Sequence, residues 1–343
     1  MTTRCATARG APITGLLVAC LAAGCGGAAP ITPSAPSATG VVPGASPTAS
    51  SYLSAVVQLM HDNSVNRLTI DWTAFSAQVY QRAVNAQTIV DTYPAITLAL
   101  GLLNDHHSFF APPVGVTTRP TNPSAINCSA PLVPNATVPD DIGYVRIAAF
   151  SDPAPGADVA FADSVQAQIR ASDRATLSGW IVDLRGNLGG NMWPMVAGVG
   201  SVVGEGVLGF FVSPTGATQT WTYQNGVSLS AGLEGSHVTS AYTLLRPAPR
   251  VAVLTDPNVA SSGEAVAVAF RGRPNTRTFG APTCGLSSAN SGYTLSDGAV
   301  LYLTNAVDAD RNRVVYGGVL QPDEAIGGDA AVVERAIAWI RSG

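Results

Sequence analysis

Residues Gly179–Gly190 read GWIVDLRGNLGG, an apolar run that leads directly into a glycine-rich turn. The run predicts a buried β-strand. Glycine has no Cβ, so such a turn can bring backbone N–H groups close to a bound anion or oxyanion. The stretch lacks the Gly-Lys-Ser/Thr of a phosphate loop and the spacing of a dinucleotide fingerprint, so a nucleotide site is not indicated. A simple tight turn is the plain alternative.

Short apolar strands alternate with helices on both sides of this turn. The alternation predicts an α/β domain with a largely parallel central sheet. A small helical unit over residues 51–104 precedes it. The segments that carry the pattern are the strands Ile142–Phe150 and Arg250–Asp256, the hairpin-like pair Val207–Tyr223, the strand-and-turn Ala299–Asn312, and the helices Gly156–Asp173 and Asp329–Ile340.

A second stretch, Val259–Phe270, reads VASSGEAVAVAF and follows the apolar run RVAVLTD. Ser261 and Glu264 have the spacing of a capping box, which indicates a helix start. A serine in this place is also a candidate nucleophile, because the helix dipole and nearby N–H donors assist reactions at a helix N-terminus. The two interpretations are compatible.

A third stretch, Leu103–Phe110, reads LNDHHSFF and contains two of the chain's four histidines. Histidine is the usual general base for a serine nucleophile at neutral pH. His106 and His107 are therefore candidate bases, and the alternative is a pair of surface histidines at the end of a helix.

Composition excludes several classes of function. The 343 residues are 46% hydrophobic and 12% charged, with a net charge of -4. With no basic tract, nucleic acid is not expected as the main partner. The 18 basic residues are all arginine, so catalytic mechanisms that need a lysine are excluded. The sequence indicates no metal and no cofactor.

The N-terminus resembles an export signal. Arg4 and Arg9 precede the short apolar stretch Ile13–Ala23, and the run LAAGC ends at Cys25. This resembles a bacterial lipoprotein signal with Cys25 lipidated, and plain secretion is the alternative. We expect an exported protein of the cell envelope that meets the membrane only through this lipid anchor, or else a periplasmic or extracellular protein.

In an oxidising compartment Cys128 and Cys284 can form a disulfide, or they are buried thiols.

In this order the stretches resemble those of the tail-specific (C-terminal-processing) serine peptidase family, whose catalytic domain has a ClpP/crotonase-like spiral fold. TFGAPTCG at Thr278–Gly285 and GGVLQPDEAI at Gly317–Ile326 add to the resemblance. It implies an α/β spiral of strand-helix units with a small N-terminal helical subdomain. The expected layout is a signal peptide over 1–25, a disordered linker over 26–50, a helical subdomain with the histidine motif over 51–110, a loop over 111–141, and the catalytic domain over 142–343.

The resemblance also implies roles for residues. Ser261, three places before Glu264, matches the nucleophile. In Asp105-His106-His107-Ser108 only His107 fits the Asp-x-His-Ser motif of the histidine-using (tricorn-like) branch, which makes it the base. The backbone N–H groups of Gly189, Gly190 and Ser262 match the oxyanion hole, and Asp105 and Asp323 are candidates for orienting the ring.

Three features depart from the family pattern. The lysine of the Ser-Lys branch would fall at Leu286, and the supporting glutamate of the tricorn-like branch would fall near Val315–Gly317, where no acid stands. The interval before the first strand is also too short for the usual PDZ domain.

The expected function is an exported serine endopeptidase that hydrolyses peptide bonds in protein tails or peptides. The alternatives are a catalytically inactive relative that binds peptides or small apolar ligands, and a cysteine hydrolase that uses Cys284.

Overall fold

The computed structural model describes residues 41–343, and the predicted signal peptide and its Cys25 lie outside this range. The first helix, α1 (Pro47–Asn63), begins before the predicted start of the helical subdomain. Ser46 caps it by accepting a bond from the N–H of Ala49, and Pro47 occupies the first helical turn. Val42 is buried as well. The prediction of a disordered linker over 26–50 is therefore wrong for residues 41–50, because their cap, proline and apolar contact form an ordered helix start.

The helical subdomain continues with α2 (Trp72–Arg82), a short 3₁₀ turn (Val90–Thr92) and α3 (Tyr93–Leu103). Helix α3 ends at Asn104, which has a left-handed backbone. The histidine pair follows, and then β1 (Phe109–Ala111). The histidine motif thus lies in a short loop between a helix end and a strand.

The apolar start of the Gly179–Gly190 stretch forms a strand inside a five-stranded sheet that is parallel throughout. The strands of this sheet are β2 (Ile142–Arg146), β3 (Gly179–Asp183), β8 (Val251–Thr255), β9 (Thr276–Gly280) and β12 (Glu324–Ala325). Their order is β12-β9-β8-β3-β2, and β3 and β8 are buried along their whole length. Helices α4 (Ala157–Ser172), α6 (Ser262–Phe270) and α7 (Asp329–Arg341) pack against this sheet. The predicted α/β class is confirmed.

A second sheet of seven strands is antiparallel. Its strands are β1, β4 (Gly206–Val212), β5 (Thr218–Gln224), β6 (Val227–Ser230), β7 (Leu233–His237), β10 (Ser288–Thr294) and β11 (Val300–Asp310), and helix α5 (Met192–Val203) precedes β4. The strand order is β1-β11-β4-β5-β6-β7, with β10 paired to β11. The sequence predicts the β4–β5 pair and the strand β11, but it does not predict a second sheet.

Two cores hold these parts together. One joins the parallel sheet to the antiparallel sheet through α5 and α6, with Trp180 and Trp221 both buried in it. The other packs the helical subdomain onto β10 and β11, where Leu53 and Phe110 meet Leu301 and Leu303. This second core fixes the end of α3, and with it the histidine loop, against the antiparallel sheet. Within residues 41–343 no helix is long and apolar enough to span a membrane.

The segment between β1 and β2 is attached to the loop after β8. Asn258 accepts a bond from the N–H of Ala130 and donates one to its carbonyl, at 2.7 and 2.9 Å. Cys128 and Cys284 form a disulfide with their Cα atoms 5.4 Å apart. The long loop is thereby linked covalently to the segment that follows β9.

We predict that the double variant Cys128→Ser/Cys284→Ser keeps the fold but unfolds more easily. The bridge closes a loop of 156 residues, and losing such a constraint on the unfolded chain costs about 3–5 kcal/mol. Urea unfolding under oxidising conditions measures the difference. Reduction should shift the wild-type curve toward that of the variant and leave the variant unmoved. Coincident oxidised and reduced wild-type curves would contradict the prediction.

Candidate active site

Ser261 lies in the sharp turn between β8 and α6. Its backbone angles are φ 52° and ψ -121°, a combination that costs a non-glycine residue free energy. Strained strand-to-helix turns of this kind present a serine hydroxyl at the end of a parallel sheet. The N–H of Ser261 is held by the Glu264 carboxylate at 3.1 Å. Ser261 is therefore held at the N-terminus of α6, where it lines a cleft.

The glycine-rich turn after β3 packs directly against this serine. A Cβ on Gly189 would come within 2.8 Å of Ser261 Cβ, and one on Gly190 would come within 1.8 Å of the Phe150 carbonyl oxygen. Both glycines also have positive φ, at 99° and 112°. The Ser262 hydroxyl donates to the Gly190 carbonyl at 2.5 Å. Only glycine fits at these two positions, and Ser262 ties the turn to the start of α6.

The predicted oxyanion role of Gly189 needs a correction. Its N–H donates to Oδ1 of Asn187 at 2.9 Å, so that amide already has a partner inside its own turn. Gly189 instead allows its turn to lie close to Ser261, because the side chain of a larger residue would push the turn away from Ser261. Gly190 borders the same cleft as Ser261, and Ser262 is the first residue of α6.

His107 and Ser261 line one cleft of about 760 Å³. Phe109, Tyr302 and Asn290 form part of the same wall. The neighbouring His106 is exposed, has φ 65°, and donates from Nδ1 to the Ser124 carbonyl at 2.6 Å. Of the two adjacent histidines, His107 is the one in the serine cleft.

The two aspartates expected to orient the ring have other partners. Asp105 accepts bonds from the N–H groups of His107 and Ser108, at 3.0 and 2.8 Å, and from the Ser108 hydroxyl. It fixes the backbone of the loop and not the imidazole. Asp323 bonds Arg271 and Thr278 beside β9. The orienting prediction is wrong for both, because each carboxylate is already used to hold backbone or a structural partner.

The partner of the ring is a residue that the sequence reasoning missed. Nδ1 of His107 lies 2.9 Å from Oγ of Ser288, the first residue of β10. Asn290, two places along the strand, donates to the His107 carbonyl at 3.1 Å. The signal in the sequence is weak, because a serine beside a glycine-rich segment is common and the usual partner of a histidine base is an acid.

Burial lowers the pKa of the His107 imidazole to about 4. The ring is therefore neutral at physiological pH. A neutral imidazole has one nitrogen able to accept a proton, which a general base requires.

Glu264 lies fully buried behind the nucleophile turn, with 0% of its surface exposed. Oε2 accepts from the N–H groups of Ser261 and Leu286, and Oε1 accepts from the Gly285 N–H and the Thr283 hydroxyl. Burial raises its pKa to about 7. Asp308 on β11 is also completely buried, and burial together with the charge of Glu264 raises its pKa well above the ordinary value. Glu264 thus joins the turn that carries Ser261 to the segment that leads into β10.

Cys284 is bonded to Cys128. The thiolate, and not a disulfide sulfur, is the nucleophile in cysteine hydrolases. The cysteine-hydrolase alternative is therefore excluded for the oxidised protein.

Comparison with known proteins agrees with this geometry. Residues 141–324 match the model of peptidase family S41. Over 297 residues the chain is 27% identical to the nisin-resistance protein of Lactococcus lactis subsp. lactis, covering 86% of this chain and 88% of that protein. A lipoprotein from Streptococcus agalactiae superposes with a TM-score of 0.68 at 19% identity, over 87% of this chain and 97% of that one. The photosystem II D1 C-terminal processing protease superposes with a TM-score of 0.53 at 16% identity, over 83% and 96%.

We predict that Glu264→Gln lowers the unfolding free energy of the protein and lowers its rate of peptide hydrolysis. A glutamine amide nitrogen is a donor, and each carboxylate oxygen accepts from two donors, so the two donors at the oxygen that the nitrogen replaces lose their acceptor. The expected loss is about 2 kcal/mol of unfolding free energy, with kcat reduced by about 100-fold through displacement of Ser261. Urea unfolding and peptide hydrolysis measure the two effects. Glu334→Gln on the exposed side of α7 is the matched control, and equal behaviour of the two variants would refute the role of Glu264.

The stability of the wild-type protein should also depend on pH through Glu264. The pKa is raised from 4.5 to about 7 in the folded state, so the folded chain binds this proton more tightly than the unfolded chain. This contribution is complete below about pH 4.5 and is lost as the pH rises to about 7, with a size of about 3 kcal/mol. Unfolding free energies from pH 4.5 to 8 should fall more steeply for wild type than for Glu264→Gln. Parallel curves would show that Glu264 does not titrate in this range.

Proposed function

The chain belongs to peptidase family S41, and we propose that it is an exported serine peptidase with Ser261 as nucleophile and His107 as general base. One observation carries the assignment of residues. A serine held in a strained turn and a histidine kept neutral by burial line the same cleft. The family and the fold give the reaction class, which is hydrolysis of a peptide bond.

The proposed reaction follows from the placement of these groups. Ser261 Oγ attacks the carbonyl carbon, and its proton passes to Nε2 of His107. The carbonyl oxygen becomes an oxyanion beside the backbone of Gly190 and Ser262, at the positive end of the α6 dipole. When the tetrahedral intermediate collapses, the C–N bond breaks and Nε2 returns the proton to the departing amine. Water then attacks the acyl-enzyme by the same route, and Ser261 recovers its proton.

Two further observations support export. The Cys128–Cys284 disulfide suits an oxidising compartment outside the cytoplasm. The chain is also similar in fold to a streptococcal lipoprotein and similar in sequence to a nisin-resistance protein. We propose that Cys25 carries a lipid anchor, and that the substrates are peptides or protein tails that reach the cell surface.

The second candidate function is a peptide-binding relative without catalysis. One observation favours it, namely that the ring nitrogen Nδ1 of His107 faces a serine hydroxyl where the acid-containing branch of the family has a carboxylate. In that case the cleft would hold a peptide without cleaving it.

A fluorophosphonate probe separates the two functions. It forms a covalent adduct with an activated serine, and we expect wild type to be labelled on the peptide that contains Ser261. Ser261→Ala should remain folded, lose labelling and lose at least about 1,000-fold of peptide hydrolysis. A wild-type protein that binds peptides but is neither labelled nor active would support the inactive relative.

The adjacent histidines provide an internal control. His107→Asn should abolish labelling, whereas His106→Asn should leave it unchanged, since asparagine also tolerates the positive φ at residue 106. Loss of labelling in His106→Asn together with full labelling in His107→Asn would show that His106, and not His107, is the base.

A further inference from the structure

The loop that carries His107 is held by strand β10 at two points. Ser288 faces the ring nitrogen Nδ1 at 2.9 Å, and Asn290 donates to the backbone carbonyl at 3.1 Å. Asn290 is itself buried and accepts from the Thr304 hydroxyl on β11 at 2.9 Å. The ring and the backbone of His107 are thus both positioned by residues that lie more than 180 places away in sequence.

We propose that Ser288 is the positioning residue of the general base. By accepting a hydrogen bond from Nδ1–H, it keeps Nε2 without a proton and directed to Ser261. This inference rests on the proposed function, and it gives a hydroxyl the place that a carboxylate has in acid-containing triads.

The argument depends on the tautomer of the imidazole. A neutral ring carries one proton, and Nε2 can accept the proton of Ser261 only if that proton sits on Nδ1. A hydroxyl placed 2.9 Å from Nδ1 can accept a bond from Nδ1–H or donate one to an unprotonated Nδ1, and the positioning role requires that it accepts. During attack the proton of Ser261 moves to Nε2 while Nδ1 keeps its own, so Ser288 neither gains nor loses a proton.

The charged groups around the cleft do not take this place. Asp105 holds backbone amides of the histidine loop, and Glu264 holds four donors behind Ser261. On the opposite wall, Asp152 accepts from the Ala154 N–H and Asp158 accepts from the Ser236 hydroxyl. Strand β10 carries no charged side chain. Burial therefore governs the charge of the ring, and the hydroxyl governs its tautomer.

The test compares Ser288→Ala, Ser288→Thr and Ser288→Asp with wild type. We expect Ser288→Ala to lower kcat about tenfold with KM unchanged, and Ser288→Thr to restore most of the rate because it keeps the hydroxyl. Ser288→Asp should move the acid limb of kcat/KM to higher pH by about 1–3 units, since a carboxylate beside the ring favours the imidazolium. A wild-type kcat and pH profile in Ser288→Ala would overturn the proposal.

Ser291 on the same strand supplies matched controls. Its hydroxyl accepts from Asn305, and it lies outside the cleft lining. Ser291→Ala and Ser291→Asp make the same chemical changes on β10 and should keep the wild-type kcat and pH profile. Melting temperatures of all variants show whether any of them has failed to fold.

A second readout does not need catalysis. With ¹⁵N-labelled histidine, the ring signals of His107 are identified by their loss in His107→Asn. We expect the Nδ1–H tautomer in wild type and Ser288→Thr, and a mixture in Ser288→Ala. An unchanged tautomer in Ser288→Ala would overturn the positioning role. A protein that shows the tautomer shift but is neither active nor labelled by the probe would refute the peptidase proposal, and with it the general base, and would leave only the control of the His107 tautomer by Ser288.

Discussion

The buried carboxylate of Glu264 is the interaction on which the geometry of the site depends. One of its oxygens holds the N–H of Ser261, and both oxygens hold the turn Thr283–Leu286. Ser288 lies two residues after this turn and donates its own N–H to the Leu286 carbonyl at 2.8 Å. Because β10 contacts His107 through Ser288 and Asn290, the carboxylate that holds the proposed nucleophile also supports the strand that holds the proposed base. A fully desolvated carboxylate persists there only because four donors satisfy it.

The reactive groups come from separate parts of the fold. Ser261 follows a strand of the parallel sheet, Ser288 begins a strand of the antiparallel sheet, and His107 ends the helical subdomain. Their relative positions depend on the two cores described above, one between the sheets and one beneath the helices. Neither core is local in sequence, so a packing defect far from the cleft can displace a catalytic group without touching it.

The sequence predicted the parts of the site whose chemistry is local. The capping spacing of Ser261 and Glu264, and the register that selects His107, depend on a few neighbouring residues. The antiparallel sheet was predicted only in part. The β4–β5 pair and the strand β11 contain clear apolar runs, whereas β6, β7 and β10 are rich in glycine and small polar residues and β1 has only three residues. The amide of Gly189 was assigned to an oxyanion although Asn187 holds it, since no pattern of residue types reveals which donors a turn uses internally. Ser288 was missed for a related reason, because its role arises only from pairing in space.

A hydroxyl and a carboxylate solve different parts of the problem of a histidine base. A carboxylate fixes the tautomer and also raises the ring pKa, and it stabilises the imidazolium formed during attack. A hydroxyl fixes the tautomer alone, so burial keeps the pKa of His107 near 4 and the free base is available at every physiological pH. The imidazolium must then gain its stabilisation from neutral dipoles and from the oxyanion beside it. Asp105 and Glu264 hold backbone amides beside the cleft, so in the proposed reaction these acids maintain the shape of the site while neutral groups move the proton.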